Sequence, residues 1–244
     1  MSDFLLEIAC FSPEYAMQAA AAGADRLELC DNPLEGGTTP SYGYLKLLRE
    51  KLEIPLFPII RARGGHFVFT QTEKNVMRQD IGLCKQLGFE GVVIGLLNTD
   101  GTVDYEETAA CVELAYPMEV TFHRAFDRTI DMFAALETII KTGCTRILTS
   151  GQKPDVNQAA EVIKSLINAA DNRIIIMPGS GVAASSISEL ARHTGAKEFH
   201  ASARQIFNGP YFIPPTMQEE LPEVLVNPQE VTKLKQVLSA YFAS

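Results

Sequence analysis

The feature that most constrains this chain is a strict alternation of short apolar runs with amphipathic helical stretches, recurring about every 20–35 residues as strand-then-helix units do. The spacing predicts strands at Phe4–Ala9, Arg26–Leu29, Leu56–Arg61, Gly91–Gly95, Glu119–His123, Arg146–Thr149, Arg173–Met177 and Lys197–His200. Helical patterns begin near Pro13, Ser41, Thr72, Asp104, Asp131, Asp155 and Ser185, several on a capping side chain or a first-turn proline, and Asn227 to Phe242 supplies the last helix. A strand followed by a helix and then another strand calls for parallel pairing with the helices outside. Eight such units in 244 residues favour closure into a (β/α)8 TIM barrel, an α/β fold in one domain over 1–244, above an open doubly wound sheet.

The connections are unequal. Helix-to-strand links are short and glycine-marked at Gly23-Ala24, Gly88-Phe89, Gly143-Cys144 and Gly195-Ala196, as expected of left-handed helix caps. Strand-to-helix links such as Asp31–Pro40, Ala62–Gln71 and Leu96–Val103 are longer and more polar, and loops on that side of a barrel build its sites. After Arg204 the pattern lapses. Positions 205–226, with Phe207, Pro210, Tyr211, Phe212, Pro214 and Pro215, read as an irregular apolar segment before the final helix at 227–242, suited to a lid over the mouth or to an interface in a homo-oligomer.

Composition narrows the function classes. A formal net charge of −9 disfavours nucleic acid and anionic membrane surfaces as partners. No run is apolar for long enough to cross a bilayer and no secretory leader opens the sequence, so a cytoplasmic location is expected. Five cysteines, Cys10, Cys30, Cys84, Cys111 and Cys144, with no C-x-x-C pair, argue for reduced thiols over a disulfide framework or a structural zinc site.

The candidate chemistry lies at the strand ends. Glu7 and Glu28 interrupt apolar strands, and a carboxylate aimed into a barrel is costly unless paired or functional. Arg61, Arg63, His123, Arg124, His200 and Arg204 follow the third, fifth and eighth strands and converge on one mouth. Glu7, Glu28, Arg61 and His123 are the candidate acid–base and catalytic residues, with the arginines suited to holding a carboxylate or phosphate. The blander arrangement pairs Glu7 and Glu28 with Arg61 and Arg63 in a structural ion network. Gly179 and Gly181, in Pro178-Gly179-Ser180-Gly181, with Ser150, His200 and Arg204, would serve an anion near the last strands, unless the glycines only form a tight turn. Cys10 and Cys30 end what should be neighbouring strands, where two soft thiolates could meet on Cu(I), or each could be a small buried hydrophobe.

These residues also carry a resemblance. Glu7-Ile8-Ala9-Cys10, Arg26-Leu27-Glu28-Leu29-Cys30, Glu35-Gly36-Gly37-Thr38-Thr39-Pro40-Ser41, Arg63-Gly64-Gly65, Thr121 to Asp127, Leu148 to Gly151 and Phe199 to Arg204 together resemble the CutC family, called copper homeostasis proteins. The resemblance implies a β/α barrel in the cytosol, linked to copper handling, with Cys10 and Cys30 at positions matching cysteines described as Cu(I) ligands in some members. Ala62, His66 and Ser180 depart from the pattern, which has proline, aspartate and glycine there, and His66 is the change expected to alter the mouth most. The reading that follows is a copper homeostasis protein of this family, with Cu(I) as cofactor. The alternative is a barrel enzyme acting on a small phosphorylated or carboxylated metabolite.

Overall fold

A computed structural model describes residues 3–210, 212, 216 and 222–243. The strands are β1 (Leu5–Cys10), β2 (Arg26–Leu29), β3 (Leu56–Pro58), β4 (Gly91–Ile94), β5 (Glu119–Phe122), β6 (Arg146–Thr149), β7 (Ile175–Pro178) and β8 (Glu198–Ala201). They alternate with helices α1 (Pro13–Ala21), α2 (Tyr42–Lys51), α3 (Gln71–Leu87), α4 (Tyr105–Ala115), α5 (Met132–Thr142), α6 (Ala160–Ala170), α7 (Ile187–Thr194) and α8 (Pro228–Phe242). The pairing is parallel throughout these eight, in two runs ordered β3-β2-β1-β8 and β4-β5-β6-β7.

One junction between the runs is made by a parallel bridge from Ile59 to Val93, with the Ile60 N–H donating to Val93 O at 2.7 Å. At the other, between β7 and β8, side chains make the contact: Arg26 Nη2 reaches both Met177 Sδ of β7, at 3.3 Å, and Glu198 Oε2 of β8, at 2.7 Å. The result is the α/β barrel expected from the alternation.

Local signals explain most boundaries. Thr70 and Glu73 form a reciprocal capping box at the start of α3, and Asp104 and Asp131 cap α4 and α5. Gly88, Gly143 and Gly195 adopt the left-handed cap conformation, whereas at the end of α1 the cap is Ala22, one residue before Gly23. Asp155 caps a single 3-10 turn at Val156–Gln158, so α6 begins only at Ala160. The irregular segment expected over 205–226 contains order at both ends: β9 (Arg204–Phe207) pairs antiparallel with β10 (Glu223–Val226). Residues 211, 213–215 and 217–221, on which the lid and interface expectations also rest, lie outside the described residues.

Side-chain alternation divides the buried residues into two environments. Leu6, Ile8, Leu27, Leu29, Leu56, Ile60 and Phe199 join helix residues such as Leu45, Ile81, Leu136 and Leu234 in the strand–helix core, where burying each aliphatic side chain stabilises by about 1.5–3 kcal/mol. The barrel axis is mostly charged. Arg26 and Arg146 share Glu198, at 2.7 and 3.1 Å, and Arg146 also reaches Glu119 at 2.6 Å. Phe57 lies between the two guanidinium groups, 4.9 and 5.2 Å from its ring centre, and the absence of a side chain at Gly91 makes room for that ring. This layer forms a floor on which the mouth residues stand.

Candidate active site

Parallel register decides which inward residues meet. Glu7 lies opposite Arg26 on one side and opposite His200 on the other, and Ala9 lies opposite Glu28. Glu7 Oε2 therefore accepts from Arg26 Nε at 2.5 Å, while Oε1 is 2.7 Å from His200 Nδ1. Glu28 Oε2 stands 3.8 Å from the other ring nitrogen of His200. All four side chains are buried.

The imidazole thus sits between two carboxylates with different electrostatics. Burial alone would raise the Glu7 carboxyl, but Arg26 and His200 outweigh it and hold Glu7 well below the usual carboxylate range. Burial also raises Glu28, and His200 offsets this only in part while the Glu7 charge adds to it, so Glu28 stays raised. Burial would lower His200, yet the hydrogen bond to Glu7 and the charges of Glu28 and Glu7 raise it. The network expected to pair the two glutamates with Arg61 and Arg63 is therefore made instead with Arg26 and His200. Arg63 turns outward to Glu73 of α3, at 2.5 Å.

Arg61, only 3% exposed, is engaged by loop carbonyls. Its Nη1 donates to Glu35 O and Gly37 O at 2.6 and 2.7 Å, and its Nη2 to Gly65 O at 2.6 Å. His123 follows β5 on the inward face, 5% exposed, and the Ala125 N–H donates to its Nδ1 at 3.1 Å. Gly95 gives this ring its space, since a Cβ there would overlap the His123 ring. Burial and then the Arg61 charge push His123 down to about 3, so its ring is neutral near pH 7. A polar cleft of about 480 Å³ opens beside the end of β3 among Asn32, Thr38, Arg61, Arg63 and Asp80. A larger one, about 550 Å³, lies on the outside between α1 and α8, remote from these groups.

The remaining expected residues are placed differently. Asp127 is a hub: it accepts from Arg124 Nε at 2.9 Å, Thr149 Oγ1 at 2.5 Å, and the Ser150 N–H and Oγ at 3.0 and 2.9 Å. Arg124 and Ser150 are thereby tied into a brace between the ends of β5 and β6. Gly179 leaves room for His200 and Leu148. The space beside Gly181 is filled by the Asp155 carboxylate, and Asn157 donates to Gly181 O at 2.9 Å, so this loop is packed as a turn with negative charge against it. Arg204 is exposed on β9, its guanidinium 4.7 Å over the Phe11 ring. His66 is exposed and accepts from the Val68 N–H, at 3.3 Å, within its own loop, away from the barrel axis.

The Cys30 N–H donates to Cys10 O at 2.8 Å, so the two cysteines do end neighbouring strands. The register, however, sets Cys10 opposite Leu29, one residue out of phase with Cys30. Cys10 accordingly packs in the strand–helix core, while Cys30 packs with Phe57, Ile59 and Val93 along the barrel axis. Burial and then the Glu28 charge push both thiols above their ordinary value. Among the described residues, no group of three or more His, Cys, Asp or Glu is placed to hold a metal ion. Nor is any helix among them long and apolar enough to cross a membrane.

The fold and the inward charged cluster define a β/α barrel with a polar mouth, and structures with little sequence likeness share that fold. A phosphoribosylanthranilate isomerase from Thermotoga maritima superimposes with a TM-score of 0.62 at 11% identity, covering 97% of this chain and 99% of its own. Closer relatives give the family. The CutC family model matches residues 4–205. A CutC protein from Parabacteroides distasonis is 48% identical over 83% of this chain and 84% of its own length, and a mouse protein named copper homeostasis protein cutC homolog is 45% identical over 82% and 74%. The crystal structure of a CutC protein from Streptococcus agalactiae superimposes with a TM-score of 0.78 at 32% identity, covering 82% of this chain and 98% of that one. This chain belongs to the CutC family.

Proposed function

We propose that this chain is a β/α-barrel enzyme acting at its mouth on a small carboxylated or phosphorylated metabolite. The observation that carries this reading is the inward set Glu7–His200–Glu28, in which one buried imidazole is shared by a carboxyl held well below its ordinary range and one raised above it. Titratable groups driven apart in this way are suited to general acid–base work, with Glu28 as the proton-carrying member and Glu7 as the fixed charge that orients His200. Arg61 supplies the positive charge for an anionic substrate. The floor of Arg26, Arg146, Glu119 and Glu198 is balanced in charge, and its contribution to this chemistry is the Arg26 guanidinium that holds Glu7 ionised.

The test is thermal unfolding of wild type and Glu28→Gln with and without a panel of small carboxylates and phosphates. The amide is isosteric with the protonated acid, so the variant should keep its stability to within about 1 kcal/mol while losing turnover of any substrate found. Large destabilisation of Glu28→Gln without ligand would instead assign Glu28 to a structural ion network.

A second reading, Cu(I) held by Cys10 and Cys30 in a copper-homeostasis role, is favoured by the hydrogen bond joining the two strand ends and by the names of the relatives. The sulfurs are chemically apt for Cu(I), but the present arrangement does not fit it: they face different sides of the sheet and are held protonated, so binding would need Cys10 to turn and two protons to leave. Anaerobic competition against a chromophoric Cu(I) chelator measures this. On this reading one equivalent binds tightly, the apparent affinity rises about a hundredfold per pH unit as two thiols deprotonate, and binding is lost in Cys10→Ala/Cys30→Ala. Weak binding, or binding that ignores those cysteines, removes it.

A further inference from the structure

Among the described residues, two buried nitrogen atoms at the mouth have no hydrogen-bond partner: Arg61 Nε and His123 Nε2. Both are donors. The guanidinium always carries its Nε proton. In His123 the Ala125 N–H donates to Nδ1, so that nitrogen presents its lone pair and the proton of the neutral ring sits on Nε2. Buried N–H groups left unpaired are rare in folded proteins and call for an explanation.

The two side chains share a roof. The Phe67 ring centre is 4.9 Å from the Arg61 guanidinium carbon and 5.0 Å from the His123 ring centre. The Phe67 carbonyl accepts from the Leu97 N–H at 2.9 Å, which anchors the backbone beneath the half-buried ring.

We infer that Arg61 Nε–H and His123 Nε2–H together bind the carboxylate, or the carbonyl oxygen, of the mouth's ligand, and that the Phe67 ring turns aside to admit it. This rests on the mouth being a small-molecule site. Arg61 spends both Nη1 hydrogens on Glu35 O and Gly37 O and one Nη2 hydrogen on Gly65 O, which leaves its Nε–H and one Nη2–H beside the His123 Nε2–H, with a single positive charge, since His123 is neutral. One planar carboxylate matches that supply. A phosphate, with up to two negative charges, would face only that one positive charge at a buried site. Gly95 is a positioning residue in this scheme, because a side chain there would displace the ring that carries the second donor.

The experiment is NMR of the full chain labelled with 15N at its four histidines, with the His123 signals identified by their loss in His123→Gln. Sodium acetate and inorganic phosphate are titrated separately at constant ionic strength, with sodium chloride as control. The expected results are an Nε2–H tautomer for His123, a saturable acetate-dependent shift of its Nε2 resonance, acetate binding about tenfold weaker in Arg61→Lys, and little response to phosphate. Should Arg61→Lys fail to fold, the wild-type titration decides alone. An acetate effect that reaches His200 but leaves His123 still would overturn this inference while sparing the enzyme reading. A phosphate or chloride response equal to that of acetate, or an Nδ1–H tautomer, would also overturn it. Silence of both histidines towards acetate and phosphate would remove the inference and the enzyme reading together.

Discussion

Glu7→Gln is expected to lower the unfolding free energy by about 3 kcal/mol, measured by urea denaturation at pH 7. The carboxylate is almost fully buried, takes the Arg26 guanidinium at 2.5 Å and holds His200 at 2.7 Å. Removing its charge leaves the buried Arg26 guanidinium and the His200 imidazole facing a neutral amide. The loss falls at the low end of what breaking a buried pair costs because Arg26 retains Glu198, at 2.7 Å, on its other side. Glu28→Gln, one strand away at similar depth, replaces a carboxyl that burial favours in its protonated form and should cost far less. Equal losses in the two variants would mean that Glu28 is ionised in the folded chain, contrary to the acid–base assignment.

The second large effect is pH-dependent and belongs to His123. Its folded value is pushed down to about 3 from an ordinary 6.5, so the unfolded chain binds a proton that the folded chain refuses. Stability contributed by the neutral ring is fully present above about 6.5 and is lost as pH falls towards 3, by about 1.4 kcal/mol per pH unit. Glu28, raised on folding from an ordinary 4.5, works in the opposite sense over part of that window, so the total curve does not isolate either group. The difference between wild type and His123→Gln does. Relative to its own value at pH 7, the variant should gain about 2 kcal/mol on wild type by pH 5. Parallel stability curves for the two proteins would show that His123 protonates freely and is not a fixed neutral donor.

The barrel was legible because its signal is local and repeated: apolar runs of strand length, capping residues such as Asp104 and Asp131, and glycines at 88, 143 and 195. The late start of α6 was not, since Asp155 is an equally good cap for a 3-10 turn and for an α-helix. The β9–β10 ribbon escaped because its pairing joins Arg204–Phe207 to Glu223–Val226 across a proline-rich stretch, and such a contact leaves no periodicity in either segment. At the site, Glu7 and Glu28 declared themselves as charges inside apolar strands. Their partners did not, because register between neighbouring strands decides that Arg26 meets Glu7, and register is not written in one strand's sequence. Arg61 was identifiable as a mouth residue, but the carbonyls of Glu35, Gly37 and Gly65 that hold its Nη atoms come from loop geometry. The same phase argument separates Cys10 from Cys30: both end adjacent strands, yet one residue of offset turns them to opposite faces. Arg26, Asp127 and Phe67 were missed as members of the site. Arg26 alone carried a usable signal, being two residues before Glu28 and therefore on the same face of β2.

The central claim, that the mouth takes a small organic anion, is tested most directly by equilibrium dialysis of the purified chain against a mixture of small carboxylates and phosphates, read by mass spectrometry, with wild type beside Arg61→Lys and Cys10→Ala/Cys30→Ala. Enrichment of one anion or a narrow set by wild type, weakened in the arginine variant and unchanged in the cysteine variant, is the predicted result. No enrichment in wild type, or enrichment indifferent to Arg61, would contradict it.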